Sequence, residues 1–204
     1  MSTISKRIYE RILSMDREVV FVATALSDLA DINTIWQVLS RLEQKDKIQR
    51  IIRGVYYCPR YSELLEEYEM ASPHQVALAL ARNYGWSIAP SGNTALNQLG
   101  LSTQVSAKWS YISDGPYNVF EFGNIRIEFK HRSNKDISGL SPKTALVIQA
   151  LRALGKDNIT NEDINKIGLL LSAEEKETLL KESKQSTSWI YKYIKKICEE
   201  EKRV

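Results

Sequence analysis

Apolar residues recur along this chain at helical and at strand spacing, and the order in which the two alternate sets the first expectations. Ile4, Ile8, Ile12 and Leu13 share one helical face, with Lys6, Arg7, Glu10 and Arg11 opposite, so an amphipathic helix opens the chain. The run VVFV at 19–22 is β-rich. A brief helix is predicted over 24–30 with Ala25, Leu26 and Leu29 facing in, and Asp31-Ile32-Asn33 makes a tight turn. Asn33 then suits the cap of a helix over 34–46, in which Ile35, Val38, Leu39 and Leu42 keep the i, i+3, i+4, i+7 pattern. The segments 48–52 and 55–58 read as two strands around Arg53-Gly54, closed by Pro59. Helix, strand, helix, turn, helix and hairpin, in that order, are expected to form a winged helix-turn-helix over residues 1–60.

The chemistry of such a module follows from its solvent side. The helix over 34–46 presents Thr34, Gln37, Ser40, Arg41, Gln44 and Lys45, polar groups long enough to reach base edges; Gln pairs bidentately with adenine and Arg with guanine. Lys47, Arg50 and Arg53 fall on or beside the expected wing, where they would meet phosphate or the minor groove. Taken singly, each is as well explained as part of a solvated face. The ordered set of elements favours double-stranded DNA as a partner. Trp36, next to Ile35 and off the central stripe, is expected to pack against the first helix or the wing.

Residues 61–73, YSELLEEYEMASP, read as a helical connector, because Leu64, Leu65 and Tyr68 repeat at helical spacing. Residues 74–204 then form a second domain. A helix follows Ser72-Pro73, with Ser72 as cap and Gln75 completing the box, and ends at Gly85. PSGN at 90–93 makes a turn into a short helix stopped at Gly100, a strand covers 109–112, and a hairpin spans 118–129 across Gly123-Asn124. The last third is helical. Ser141-Pro142, Thr160 with Asp163, and Ser172 with Glu175 open three helices, and Trp189, Ile190, Tyr193, Ile194 and Ile197 form the apolar stripe of a fourth whose other face carries Lys192, Lys195 and Lys196. The expected fold class is α+β, mostly helical: a winged module, then a mixed α+β domain ending in a helical bundle.

Composition narrows the function classes. The 204 residues are 43% hydrophobic and 26% charged, and no window approaches the ~18 uninterrupted apolar residues of a membrane span. With no apolar run behind Lys6 and Arg7, a cytoplasmic location is expected. The net charge of +3 identifies no partner, but the ten Lys/Arg and seven Asp/Glu of residues 1–60 make that module mildly basic, whereas 61–73 holds four Glu and no base. Cys58 and Cys198 lack CxxC spacing, and with only His74 and His131 a zinc site is not expected. Ser91 lacks a nucleophile elbow, and no phosphate-binding loop or dinucleotide fingerprint is present. The carboxylates at Glu66, Glu67, Glu69 and 199–201 read as surface runs. No catalysis, cofactor or metal is expected.

Three stretches together suggest a family: LSRLEQKDKIQRIIRGVYYCP, then VALALARNYGWSIAPSGNTALNQLGLSTQVSAKWSYISDGP, then KTALVIQALRALGKD. In these the chain resembles the AbiEi-like antitoxins of type IV toxin-antitoxin systems, from about Ile4 to Ile197. PSGNTALNQLGLSTQV with the later Asp114-Gly115 carries most of the likeness. The pattern departs at Lys45-Asp46-Lys47, where a glycine is common. The resemblance implies an autorepressor that binds operator DNA through its winged domain and whose C-terminal domain counters a nucleotidyltransferase-like toxin. Ser91, Asn93, Asn97 and Gln98, together with Lys192, Lys195 and Lys196, are the candidate antitoxin surface. A one-component regulator whose second domain senses a small effector is the alternative.

Overall fold

The computed structural model describes residues 3–15, 20–59, 61–64, 66–104, 107–132, 137 and 139–199. Val19, Leu65, Val105 and the glutamates at 200 and 201, which enter the sequence reading, lie outside them. The protein is α+β, and it divides into two compact units, Met1–Trp86 with Glu121–Gly123 and Ser87–Phe120 with Asn124–Val204. Among the described residues no helix is long and apolar enough to cross a membrane.

The first unit begins with helix α1, Thr3–Ser14, followed by strand β1, Val20–Val22, and a single 3-10 turn, Ala23–Leu26. That turn stands where a helix over 24–30 was expected, and Ala25 faces solvent while Ala23 and Leu26 are buried. Helix α2, Ile32–Glu43, starts two residues earlier than its sequence suggests. The reason is local: Asp31, in extended backbone, accepts the Thr34 N–H at 3.0 Å and so displaces Asn33 as the cap. Strands β2, Gln49–Ile52, and β3, Val55–Tyr57, follow as a hairpin, and β1 pairs antiparallel with β3 to give the order β1-β3-β2. Ile8, Ile12, Phe21, Leu26, Ile35, Leu39, Leu42 and Ile48 fill the space among the helices and the sheet. The core of the first unit is therefore built from the apolar positions that the periodicity picks out.

Among its described residues, the acidic stretch after it forms strands where a helix was expected. Strands β4, Tyr61–Ser62, and β5, Glu67–Tyr68, pair antiparallel, and the Tyr61 and Tyr68 rings meet edge to face at 5.3 Å. Two cross-strand aromatics at strand spacing outweigh the weak helical repeat. Helix α3, Pro73–Tyr84, is stopped by Gly85 in the left-handed region, with the Trp86 N–H returning to the Ala81 carbonyl at 2.8 Å. Ser72 stands at its N-cap without a side-chain bond, so the expected capping box is absent. The apolar side of α3 packs on β1 and β3, which places this helix in the first unit and the division after Trp86 instead of at residue 73.

The second unit opens with β6, Ile88–Pro90, and the short helix α4, Asn93–Gln98. Strands β7, Lys108–Ser113, β8, Asn118–Phe122, and β9, Ile125–His131, complete a sheet of order β6-β7-β9-β8, with β6 antiparallel and β9 parallel to β7. Helices α5, Pro142–Leu154, α6, Asn161–Leu169, α7, Ala173–Glu182, and α8, Ser188–Glu199, follow. The capping boxes at Thr160 and Ser172 are both formed, and the Ser141 hydroxyl caps α5. Ala95 and Leu99 of α4, Val147 and Leu151 of α5, Ile164 and Ile167 of α6, Leu179 of α7, and Ile190, Ile194 and Ile197 of α8 form one core. At Gly168 a Cβ would sit 3.1 Å from the Ile197 carbonyl, so the glycine permits the close approach of α6 to α8.

Candidate nucleic-acid interface

Helix α2 is two-faced to a degree that fixes what it presents. Ile35, Val38, Leu39 and Leu42 are buried, so Asn33, Trp36, Gln37, Ser40, Arg41 and Gln44 are turned to solvent along its other side. Gln37 and Arg41 lie one turn apart and Ser40 between them. Thr34 is placed differently. It is half-buried, and its hydroxyl donates to the Asp31 carboxylate at 2.5 Å, so its polar group is committed to holding the start of the helix. These bonds, the Thr34 hydroxyl first and its N–H second, keep the Asp31 carboxyl below its usual value.

The other end of α2 turns directly into the hairpin. Gln44 is the C-cap and Lys45 lies beyond the helix; Asp46 adopts φ 54°, and the Lys47 N–H reaches back to the Leu42 carbonyl at 3.0 Å. This is the left-handed position at which a glycine is common, and Asp is among the few other residues that tolerate it. Lys45 and Lys47 are both exposed on this turn. Arg53 is exposed at the hairpin tip beside Gly54, whose φ of 82° makes the two-residue reversal possible.

Arg50 is not a free cation. Its Nε lies 3.4 Å from a Glu43 carboxylate oxygen, which ties the first hairpin strand to the end of α2. Of the acidic groups near this surface, Asp28 bonds Arg11 at 3.0 Å and Asp31 caps α2, while Asp46 is exposed on the turn between Lys45 and Lys47. Arg41 and Arg53 have no ion-pair partner among the described residues, so the balance of exposed charge here is positive.

Trp36 corrects the sequence reading. It was expected to pack against the first helix or the hairpin, yet its side chain is 51% exposed and no described ring stacks on it. The signal was present in the spacing: Asn33, Trp36, Gln37 and Ser40 fall on one helical side, and its adjacency to buried Ile35 hid this.

The residues expected to form an antitoxin surface are divided. Ser91 is buried, and its N–H donates to the Ser110 carbonyl at 2.9 Å, so it is part of the sheet and not of a surface. A serine after proline at a strand end serves either place, and the backbone bond decides. Asn97 is half-buried and donates from Nδ2 to the Gln104 carbonyl at 2.7 Å, pinning the turn after α4; Gln98 is half-buried too. Only Asn93 of this group is exposed. Asp114, from the same stretch of resemblance, accepts the Ser87 N–H at 2.8 Å and closes the end of the sheet.

Lys192, Lys195 and Lys196 are exposed along α8, with Lys195 Nζ 5.1 Å from the Tyr191 ring centre and Lys196 Nζ 5.5 Å from that of Tyr193. Helix α8 packs on α5, α6 and α7, whereas α4 packs on α5 and β7, so the two halves of the expected surface stand on separate elements.

The ionisable side chains of His74, His131 and Glu128 are engaged within the fold. Burial pushes the His74 imidazole below its usual value and so leaves it uncharged at neutral pH. His131 Nδ1 lies 2.9 Å from the Gly115 carbonyl. Glu128 is buried between Lys108 at 2.7 Å and Lys130 at 3.6 Å and accepts the Tyr117 hydroxyl at 2.9 Å, a set that reads as a structural tie of the sheet. Among the described residues no group of three His, Cys, Asp or Glu side chains could hold a metal ion.

A family profile described as a family of unknown function (DUF6088) matches residues 7–179. None of the curated proteins matches the sequence. Among solved structures, the crystal structure of the RV2827C protein from Mycobacterium tuberculosis is similar at a TM-score of 0.44 and 12% identity, over 97% of this chain and 77% of that one.

Proposed function

Because the chain belongs to the DUF6088 family, whose function is unknown, its role is read from its own geometry, and we propose that it is a DNA-binding transcriptional regulator. In this reading the first unit is a winged helix-turn-helix, α2 enters the major groove and the β2–β3 hairpin is the wing. One observation carries it: the outward side of α2 is a row of amides, a hydroxyl and an unpaired arginine, and a hairpin tipped by Arg53 follows at once. The order helix, strand, turn, helix, hairpin and the sheet order β1-β3-β2 support the same assignment. Gln37 and Arg41 are the base-reading groups, and Lys45, Lys47 and Arg53 meet phosphate. Arg50 positions the hairpin through Glu43 and contributes to affinity chiefly in that way.

The resemblance to AbiEi-like antitoxins extends the proposal to an autorepressor in the cytoplasm that neutralises a toxin encoded beside it, with no catalysis of its own. Of the candidate antitoxin residues, Asn93 and the lysines of α8 are the exposed ones and would make that contact.

A reporter driven by the DNA preceding the gene tests the proposal in cells. The full chain is expected to repress it, Gln37→Ala and Arg41→Ala to relieve repression, and each of the three proteins to restore growth of cells that express an adjacent toxin gene. A reporter indifferent to the full chain contradicts the DNA-binding reading, and growth arrest by the toxin that the full chain does not relieve contradicts the antitoxin extension.

A further inference from the structure

Trp36 is the one large apolar side chain on the outward side of α2. Asn33 and Ser40 lie one turn from it, and Gln37, Arg41 and Gln44 complete that side, all exposed and all polar. A tryptophan left half in water is commonplace when scattered on a surface. A tryptophan set at the edge of a row of hydrogen-bonding groups is matched to a more particular target.

The major groove offers such a target. Its floor is a pattern of donors and acceptors interrupted by a single kind of apolar group, the C5-methyl of thymine. A row that combines amides and a guanidinium with one flat apolar plate mirrors that pattern. A protein partner would instead be met by a cluster of apolar anchors that exclude water together, and α2 has no second one on this side. The positive balance of the exposed charges around α2 also favours a polyanion.

We propose that Trp36 is a specificity-determining residue that packs against a thymine methyl in the major groove, next to the base pair read by Gln37. The inference rests on the assignment of α2 as the recognition helix. It adds to that assignment a defined preference, thymine at one position of the site, in the base pair adjacent to the one whose adenine a glutamine prefers. It also separates two kinds of contact on one helix. Arg41 and Gln37 discriminate through hydrogen bonds, and Trp36 discriminates through a group that uracil lacks.

Selection of tight binders by the full chain from a randomised duplex pool supplies the probe. Each thymine of the selected duplex is then replaced in turn by uracil, which removes the methyl and leaves every hydrogen-bonding group in place. Uracil at one position is expected to weaken binding about fourfold, the worth of removing one methyl-sized group from contact. Trp36→Ala should weaken binding to the thymine duplex by at least as much, lose its sensitivity to uracil at that position, and bind a shuffled duplex as the unchanged protein does. Trp36→Phe, which keeps an apolar plate, should retain most of the discrimination. Circular dichroism checks that each variant is folded, and the half-exposed position makes that the expected result.

A Trp36→Ala protein that still discriminates thymine from uracil overturns the inference, as does a wild-type protein indifferent to every uracil. A wild-type chain that selects no duplex at all overturns the recognition-helix assignment itself, a separate and recognisable outcome. A Trp36→Ala protein that binds DNA normally but changes its oligomeric state assigns the side chain to a protein contact and also overturns the inference.

Discussion

Asp31 shows how much one side chain settles. Its carboxylate accepts both the hydroxyl and the N–H of Thr34, and the start of α2 depends on it. The anion is the form these bonds favour, so the folded state holds the carboxyl below its ordinary value of 3.8. The sign follows: the cap contributes fully above that value and is lost as pH falls through the lowered one. A pH titration of the Thr34 amide resonance should therefore show a midpoint below 3.8, and Asp31→Asn should abolish it while its amide oxygen keeps the first turn formed. A midpoint at or above the ordinary value contradicts the arrangement. Asn33 and Asp31 are both ordinary caps, and the choice between them lay in the backbone of the preceding turn, which the residue types alone do not specify. Ser91 was ambiguous for a similar reason, because a small hydroxyl fits a surface turn and a buried strand end equally well.

At the level of elements, long stripes with strong signals at their ends were legible. Ile35, Val38, Leu39 and Leu42 defined the buried side of α2, and Ile190, Ile194 and Ile197 that of α8. Thr160 with Asp163 and Ser172 with Glu175 marked the starts of α6 and α7, and both boxes are present. Short segments were not legible. The weak helical repeat expected of Leu64, Leu65 and Tyr68 gave way to a two-stranded hairpin, and the alanine-rich α3 carried no local mark of the unit it would pack in. Where a cap was legible its energy is testable. Ser172→Ala removes the oxygen that accepts the Glu175 N–H at 3.2 Å, and a lost N-cap costs about 1 kcal/mol. Amide exchange in the first turn of α7 should accelerate about fivefold for that cost, with α1 unchanged. Unaltered exchange in α7 would show that Ser172 is dispensable as a cap.

The whole molecule carries exposed positive charge on both of its units, at α2 with its hairpin in the first and along α8 in the second. Charge alone does not choose between them. The row of hydrogen-bonding side chains on α2 favours the first unit as the proposed reader, because it combines cations with groups that can tell one base pair from another. The candidate antitoxin residues, by contrast, sit on separate elements, and the stretch that carries most of the family resemblance is largely spent on building the sheet and its connection to α4. The most direct measurement is the affinity of the full chain for the duplex preceding its gene and for a shuffled duplex, each across a series of salt concentrations. Arg41→Ala with Arg53→Ala should erase the preference for the native duplex and make the salt dependence shallower by about one to two counterions. Lys192→Ala, Lys195→Ala and Lys196→Ala together should leave the preference intact. Loss of the preference in the α8 variant, with the α2 and hairpin variant unaffected, would contradict the assignment of the first unit as the reader of DNA.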